Sequence, residues 1–211
     1  MKHLVKFNLF EAVIIPSKIE DNSPIRSFGD AVEFGKRNDF DVVEYDEFYN
    51  SLGEGDKKTA PPRVGVPFFA LFHPIRKKAM FVISDSNAPR FIPNFKEIMV
   101  DIIGHERVHA EQSRRKGNIE YSLPSPTDRK SYFSNKEEVM AFSFSISNDL
   151  HKQCKNINDA MSLLQKGGFK GNNAMLWHDI RKFCDEKTIR RYVKYIYMYL
   201  EKMFDEGNQQ K

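Results

Sequence analysis

The chain has 211 residues, with 33 Lys+Arg against 29 Asp+Glu (net charge +4), 40% hydrophobic and 29% charged residues. This composition belongs to globular proteins and excludes disordered and fibrous classes, while charge spread so thinly gives no reason to expect a nucleic-acid partner. No run approaches the roughly 18 apolar residues of a membrane span, and the opening MKHLVKFNLF is broken by Lys6 and Asn8, unlike a signal peptide. The two cysteines, Cys154 and Cys184, form neither a disulfide framework nor a metal-type spacing. A cytoplasmic setting is therefore expected.

Taken in chain order, 3–15 (HLVKFNLFEAVII) alternates and ends in a β-branched run, which predicts a strand. Ser23-Pro24 opens a helix to about Arg37, with Ile25, Phe28 and Val32 at helical spacing. Asp41–Leu52 is ambiguous; a short strand (DVVEY) followed by a helical turn fits it. Gly53–Pro62 is polar and Gly/Pro-rich, hence a loop. Val64–His73 and Lys78–Ser84 read as two strands of a hairpin, although the connection lacks an Asn-Gly turn.

The rest of the chain predicts helices. Asn94–Lys116 opens with Asn94 and Glu97 as a capping box and closes on Arg114-Arg115-Lys116 before Gly117. Asn118–Phe133 reads as a loop, and Ser134 to about Cys154 as a helix. Asn158–Lys166 stops at Gly167-Gly168, and Ala174–Cys184 is a further short helix. The last helix, about Lys187–Glu206, carries Ile189, Val193, Ile196, Leu200 and Met203 as one apolar stripe. Tyr192, Tyr195, Tyr197 and Tyr199 point around that whole helix, which reads as core packing and not as a base-stacking platform.

The chemistry lies in His105-Glu106-Arg107-Val108-His109, an H-E-x-x-H pattern that a chain of this composition shows by chance about once in a hundred. Histidines at i and i+4 share one helix face, so both imidazoles reach a single Zn²⁺ at about 2.0–2.1 Å. Glu106 then stands beside the ion, placed to take a proton from an activated water as general base. The bland alternative is a pair of solvent-facing histidines in a charged last turn.

A catalytic zinc site needs a third protein ligand. Metzincins place it in the same run, but the matching positions hold Gln112 and Arg115. The next helix offers Glu137 and Glu138, about 100° apart around its axis. Ser134 and Glu137 form S-x-x-E, a capping box that occupies Glu137. Glu138 is therefore the preferred third ligand and Glu137 the fallback. Candidate oxyanion donors are Tyr121, Tyr132 and His178, with Tyr132 closest in sequence to Glu138. Asp101 and Asp149 are candidates to orient the histidines.

GHERVHAEQ followed by a helix with EEVMAFSFS resembles the gluzincin type of zincin metallopeptidase. The spacing of Glu138, Ala141 and Phe144 is similar to that of ImmA/IrrE-type peptidase domains and of small bacteriophage-encoded HExxH proteins. The resemblance covers about Phe69 to Asp149. It implies an α+β, zincin-like fold with a small twisted N-terminal sheet beside the H-E-x-x-H helix and a helical C-terminal half. The whole chain, 1–211, then reads as a single domain: a mixed region over 1–92, metal-site helices over 93–155 and a helical region over 156–206. It also implies that the edge strand at the cleft holds the substrate in extended form, a role that falls to Lys78–Ser84 with Met80, Val82 and Ser84.

Two functions follow. The first is a zinc metallopeptidase acting on a protein or peptide, with Glu106 and Tyr132 catalytic and His105, His109 and Glu138 on Zn²⁺. The second is a catalytically silent zincin-fold binding or assembly protein, for example virion-associated or host-interacting, that meets its partner through the C-terminal helices.

Overall fold

The computed structural model describes residues 19, 21, 23–57, 60, 67–73, 78–116 and 128–209. The strand expected over 3–15, the hairpin connection 74–77 and the segment 117–127 with Tyr121 lie outside the described residues. The architecture is α+β: a small mixed sheet joined to a larger helical region.

Helix α1 (Phe28–Arg37) begins later than Ser23-Pro24 suggests. The Ser27 hydroxyl accepts from the Asp30 N–H and so caps the helix there. Strand β1 (Asp41–Glu44) and helix α2 (Tyr45–Ser51) follow as the strand-then-turn reading has it. A one-turn helix α3 (Glu54–Lys57) lies within the expected loop. Strands β2 (Phe68–His73) and β3 (Lys78–Ile83) pair antiparallel, with Phe68 opposite Ile83 and His73 opposite Lys78. β1 runs parallel to β3 on its other side, with Asp41 opposite Met80 and Glu44 opposite Ile83.

The strand order β1-β3-β2 overturns the expectation for Lys78–Ser84. β3 is central and its backbone is committed on both sides, so it has no free edge for a substrate. The side-chain period of two divides its residues between two cores. Ala79, Phe81 and Ile83 face Phe34, Phe95, Met99 and Ile103. Met80 and Val82 face Val43, Tyr45 and Phe48 on the opposite side. Both are fully buried there and cannot bind substrate.

A short helix α4 (Ala88–Phe91), which the sequence pattern does not reveal, leads to α5 (Phe95–Lys116). Asn94 precedes α5 in the left-handed region, φ 56°, which is not the extended conformation of a capping box. α6 (Arg129–Ser134) is helical where a loop is expected, and α7 (Lys136–Gln153) starts after it. Asn135 between them caps α7, its side chain accepting from the Glu137 N–H at 2.9 Å, so the Ser134–Glu137 box does not form. Then come α8 (Ile157–Lys166), ended by Gly167 at φ 67°, α9 (Ala174–Phe183) and α10 (Glu186–Gln209).

α7 is the central wall of the helical region, with α5 on one flank and α10 on the other. The α10 stripe is spent on this packing: Tyr192, Tyr195, Ile196, Tyr199 and Leu200 are buried with Val139, Ile146 and Leu150 of α7. Tyr192, Tyr195 and Tyr199 are core while Tyr197 is exposed, and the apolar stripe is largely covered from within. No described helix is long and apolar enough to cross a membrane.

Candidate metal centre

α5 stands between the sheet and α7, and its two faces differ accordingly. Phe95, Met99 and Ile103 close the sheet-side core. Ile98, Asp101, Ile102 and His105, at helical intervals, line a cleft of about 330 Å³ on another face. Close approach of α7 closes that cleft's end. A Cβ built at Gly104 would lie 2.8 Å from Cε1 of Phe144, so only glycine lets the two helices meet at this level.

There His105 and His109 of α5 meet Glu138 in the first turn of α7, all three buried. The two histidine Nε2 atoms are 3.1 Å apart. His105 Nε2 lies 3.3 Å from Glu138 Oε2, and His109 Nε2 lies 3.4 Å from Glu138 Oε1. Ligand atoms about 2.0–2.1 Å from a tetrahedral ion are separated by about 3.3 Å, so the three contacts match the edges of such a polyhedron. The donor set, two imidazoles and a carboxylate, fits a metal ion as well. Glu138 Oε2 is buried with no hydrogen-bond partner, a costly state for a carboxylate oxygen that a cation at this point would relieve.

Burial works to raise the Glu138 pKa, but the adjacent imidazoles of His105 and His109 overcome it and hold the carboxyl at about 2. His109 is desolvated, which lowers its pKa, yet Glu138 and Glu106 carry the balance upward. Glu137 is outside the group; its carbonyl accepts from Gln112 Nε2 at 3.1 Å. Thus α7 turns Glu138 inward, for a reason other than a capping box at Ser134.

Glu106 lines the cleft beside His105. Burial raises its pKa, against the pull of both imidazoles and of a hydrogen bond from the Phe72 amide. Phe72 belongs to β2, one of the two outer strands of the sheet among the described residues, so β2 and not β3 brings backbone to the site.

Tyr132 lies on α6 and also lines the cleft. Burial and the neighbouring carboxylates of Glu138 and Glu106 raise its pKa, so it stays a protonated donor beside them. Its place is fixed from α10: the Tyr192 hydroxyl donates to the Phe133 carbonyl at 2.9 Å. The Phe142 ring packs on His105, centroids 4.5 Å apart, and on Tyr132 at 5.7 Å.

The other candidates stand elsewhere. His178 is exposed on α9 and does not line the cleft. Ser84 follows β3, its backbone N–H bonded to the Pro67 carbonyl at 2.8 Å, and it lines a different cavity with Glu44 and Asp85. Asp101 and Asp149 do not orient the histidines. Asp101 accepts from Lys152 Nζ and Asn172 Nδ2, each at 3.2 Å. Asp149 accepts from the Asn173 N–H at 2.9 Å. The contact to a histidine is made instead by Gln112, whose Oε1 is 3.0 Å from His109 Nδ1. Its position three residues after His109 is the one sequence signal that points to it, because i and i+3 share a helix face.

No protein-family model, no curated protein and no solved structure matches this chain.

Proposed function

We propose that the protein is a zinc-dependent metallopeptidase that hydrolyses peptide bonds in a protein or peptide substrate. The buried His105–His109–Glu138 group, with one carboxylate oxygen short of a partner, carries this reading. A zinc ion in that group supplies Lewis acidity, polarising a carbonyl oxygen and lowering the pKa of water to about 7.

The chain's own residues divide the remaining work. Glu106 takes the proton from the attacking water and afterwards delivers it to the leaving amine; a raised pKa brings it nearer the range in which one group serves as both base and acid. The Tyr132 hydroxyl, kept protonated, donates to the oxygen that gains charge as the carbonyl becomes tetrahedral. Strand β2, at an edge of the sheet among the described residues, offers an extended peptide a backbone to lie along, next to Glu106. Ile98, Ile102 and Phe142 give the cleft apolar walls, which suit side chains of a peptide.

The test joins metal analysis with Glu106→Gln. The wild type is expected to bind one zinc per chain and to cut members of a peptide library. The variant should keep its zinc and lose activity by about 10²–10⁴-fold. A chain that takes up no zinc, or a variant with undiminished cleavage, overturns the proposal.

A further inference from the structure

Gln112 is 6% exposed and sits one turn beyond His109 on α5. Both ends of its amide are engaged, and their chemistry fixes their direction. The Glu137 carbonyl can only accept, so the amide nitrogen must face it, as it does at 3.1 Å. The amide oxygen then faces His109 Nδ1 at 3.0 Å, and a ring nitrogen that meets an acceptor must carry the proton. In the neutral ring Nε2 of His109 is then the nitrogen that carries the lone pair, and it is the atom turned to His105 and Glu138. At its other end the amide holds the carbonyl of the residue that precedes Glu138.

We infer that Gln112 is the positioning residue of the metal centre: it sets the His109 tautomer and ties that ligand to the turn of α7 that carries Glu138. The inference rests on the metal-centre reading above. It has a chemical consequence. Ligand histidines are commonly backed by a carboxylate, a backbone carbonyl or water, and a carboxylate makes the ring more basic and the metal bond stronger. A neutral amide gives direction without that added basicity. The ion is therefore held less tightly and keeps more of its Lewis acidity than with a carboxylate behind the ring.

Zinc affinity, measured by competition with a chromophoric chelator on the full chain, tests this with Gln112→Leu and Gln112→Glu. Leucine removes both hydrogen bonds at similar volume and is expected to weaken zinc binding by about 10–100-fold. Glutamate restores an acceptor for Nδ1 and should bind zinc at least as tightly as the wild type. Long-range ¹H–¹⁵N spectra of the zinc-loaded wild type should show His109 protonated at Nδ1 and ligated through Nε2, a signature that packing alone does not set. Equal affinity of Q112L and the wild type, a Q112E no tighter than Q112L, or His109 ligated through Nδ1 overturns the inference. The spectrum of the wild type decides even where a variant fails to fold. A wild type without zinc affinity brings down the metal centre itself, whereas wild-type binding that neither substitution alters removes only the role of Gln112.

Discussion

The two flanks of α7 both bury polar groups, and they treat them in opposite ways. Toward α10, Ser143 Oγ donates to the Val139 carbonyl at 2.6 Å and lies 3.5 Å from that of Tyr192. One turn on, Ser147 Oγ donates to the Ser143 carbonyl at 2.7 Å and lies 3.3 Å from that of Ile196. These hydroxyls are small enough to let α10 approach and are already satisfied by carbonyls of α7 itself. Toward α5, Glu138 is nearly inaccessible, and one of its oxygens has no hydrogen bond. The serines serve packing and close on their own helix; the open carboxylate oxygen of Glu138, set against two imidazoles, suits a cation.

Four substitutions probe this contrast. Glu138→Ala removes the carboxylate of the proposed centre and is expected to weaken zinc binding by more than about 100-fold, beyond the usual effect of losing an outer-shell partner. Ser143→Ala should leave zinc binding unchanged and cost about 1 kcal/mol in denaturant unfolding. Equal zinc affinities for these two variants would erase the distinction between the flanks.

Gly104→Ala tests the seam. Its Cβ would collide with the Phe144 ring, so the ring or the helices that hold it must give way, and a wider α5–α7 seam is the expected result. The expected cost is about 1–3 kcal/mol of overpacking, together with weaker zinc binding as Glu138 moves from the histidines. Lost stability with intact zinc affinity would show that the centre tolerates a wider seam.

Asp101→Asn gives the smallest change, read through pH. Burial raises the Asp101 pKa above its usual 3.8, and Asp149 adds to this, while Lys152 and Asn172 pull it back. Across the window from 3.8 up to the raised value the folded chain binds more protons than the unfolded one, so this residue makes stability fall as pH rises. The melting temperature of the wild type relative to D101N should therefore decline across that window. A constant difference would mean that Lys152 and Asn172 compensate the burial completely.

Features that depend on neighbours a turn or a strand away were legible from the residues alone. His105 and His109 share a face because the helix period puts i and i+4 together, and Gly167 ends α8 because its φ of 67° favours glycine. The stripe of α10 and the β2–β3 pairing could be read for the same local reason. Long-range packing settled the rest. Glu137 and Glu138 are equal in composition, and only the rotation of α7 against α5 turns one of them to the histidines. Strand runs carry no mark of order, so it took the parallel pairing of β1 to place β3 in the centre and bring β2 to Glu106. The hold of Gln112 on Glu137 and the approach of Phe72 to Glu106 span 25 and 34 positions of chain, a separation at which no periodicity operates.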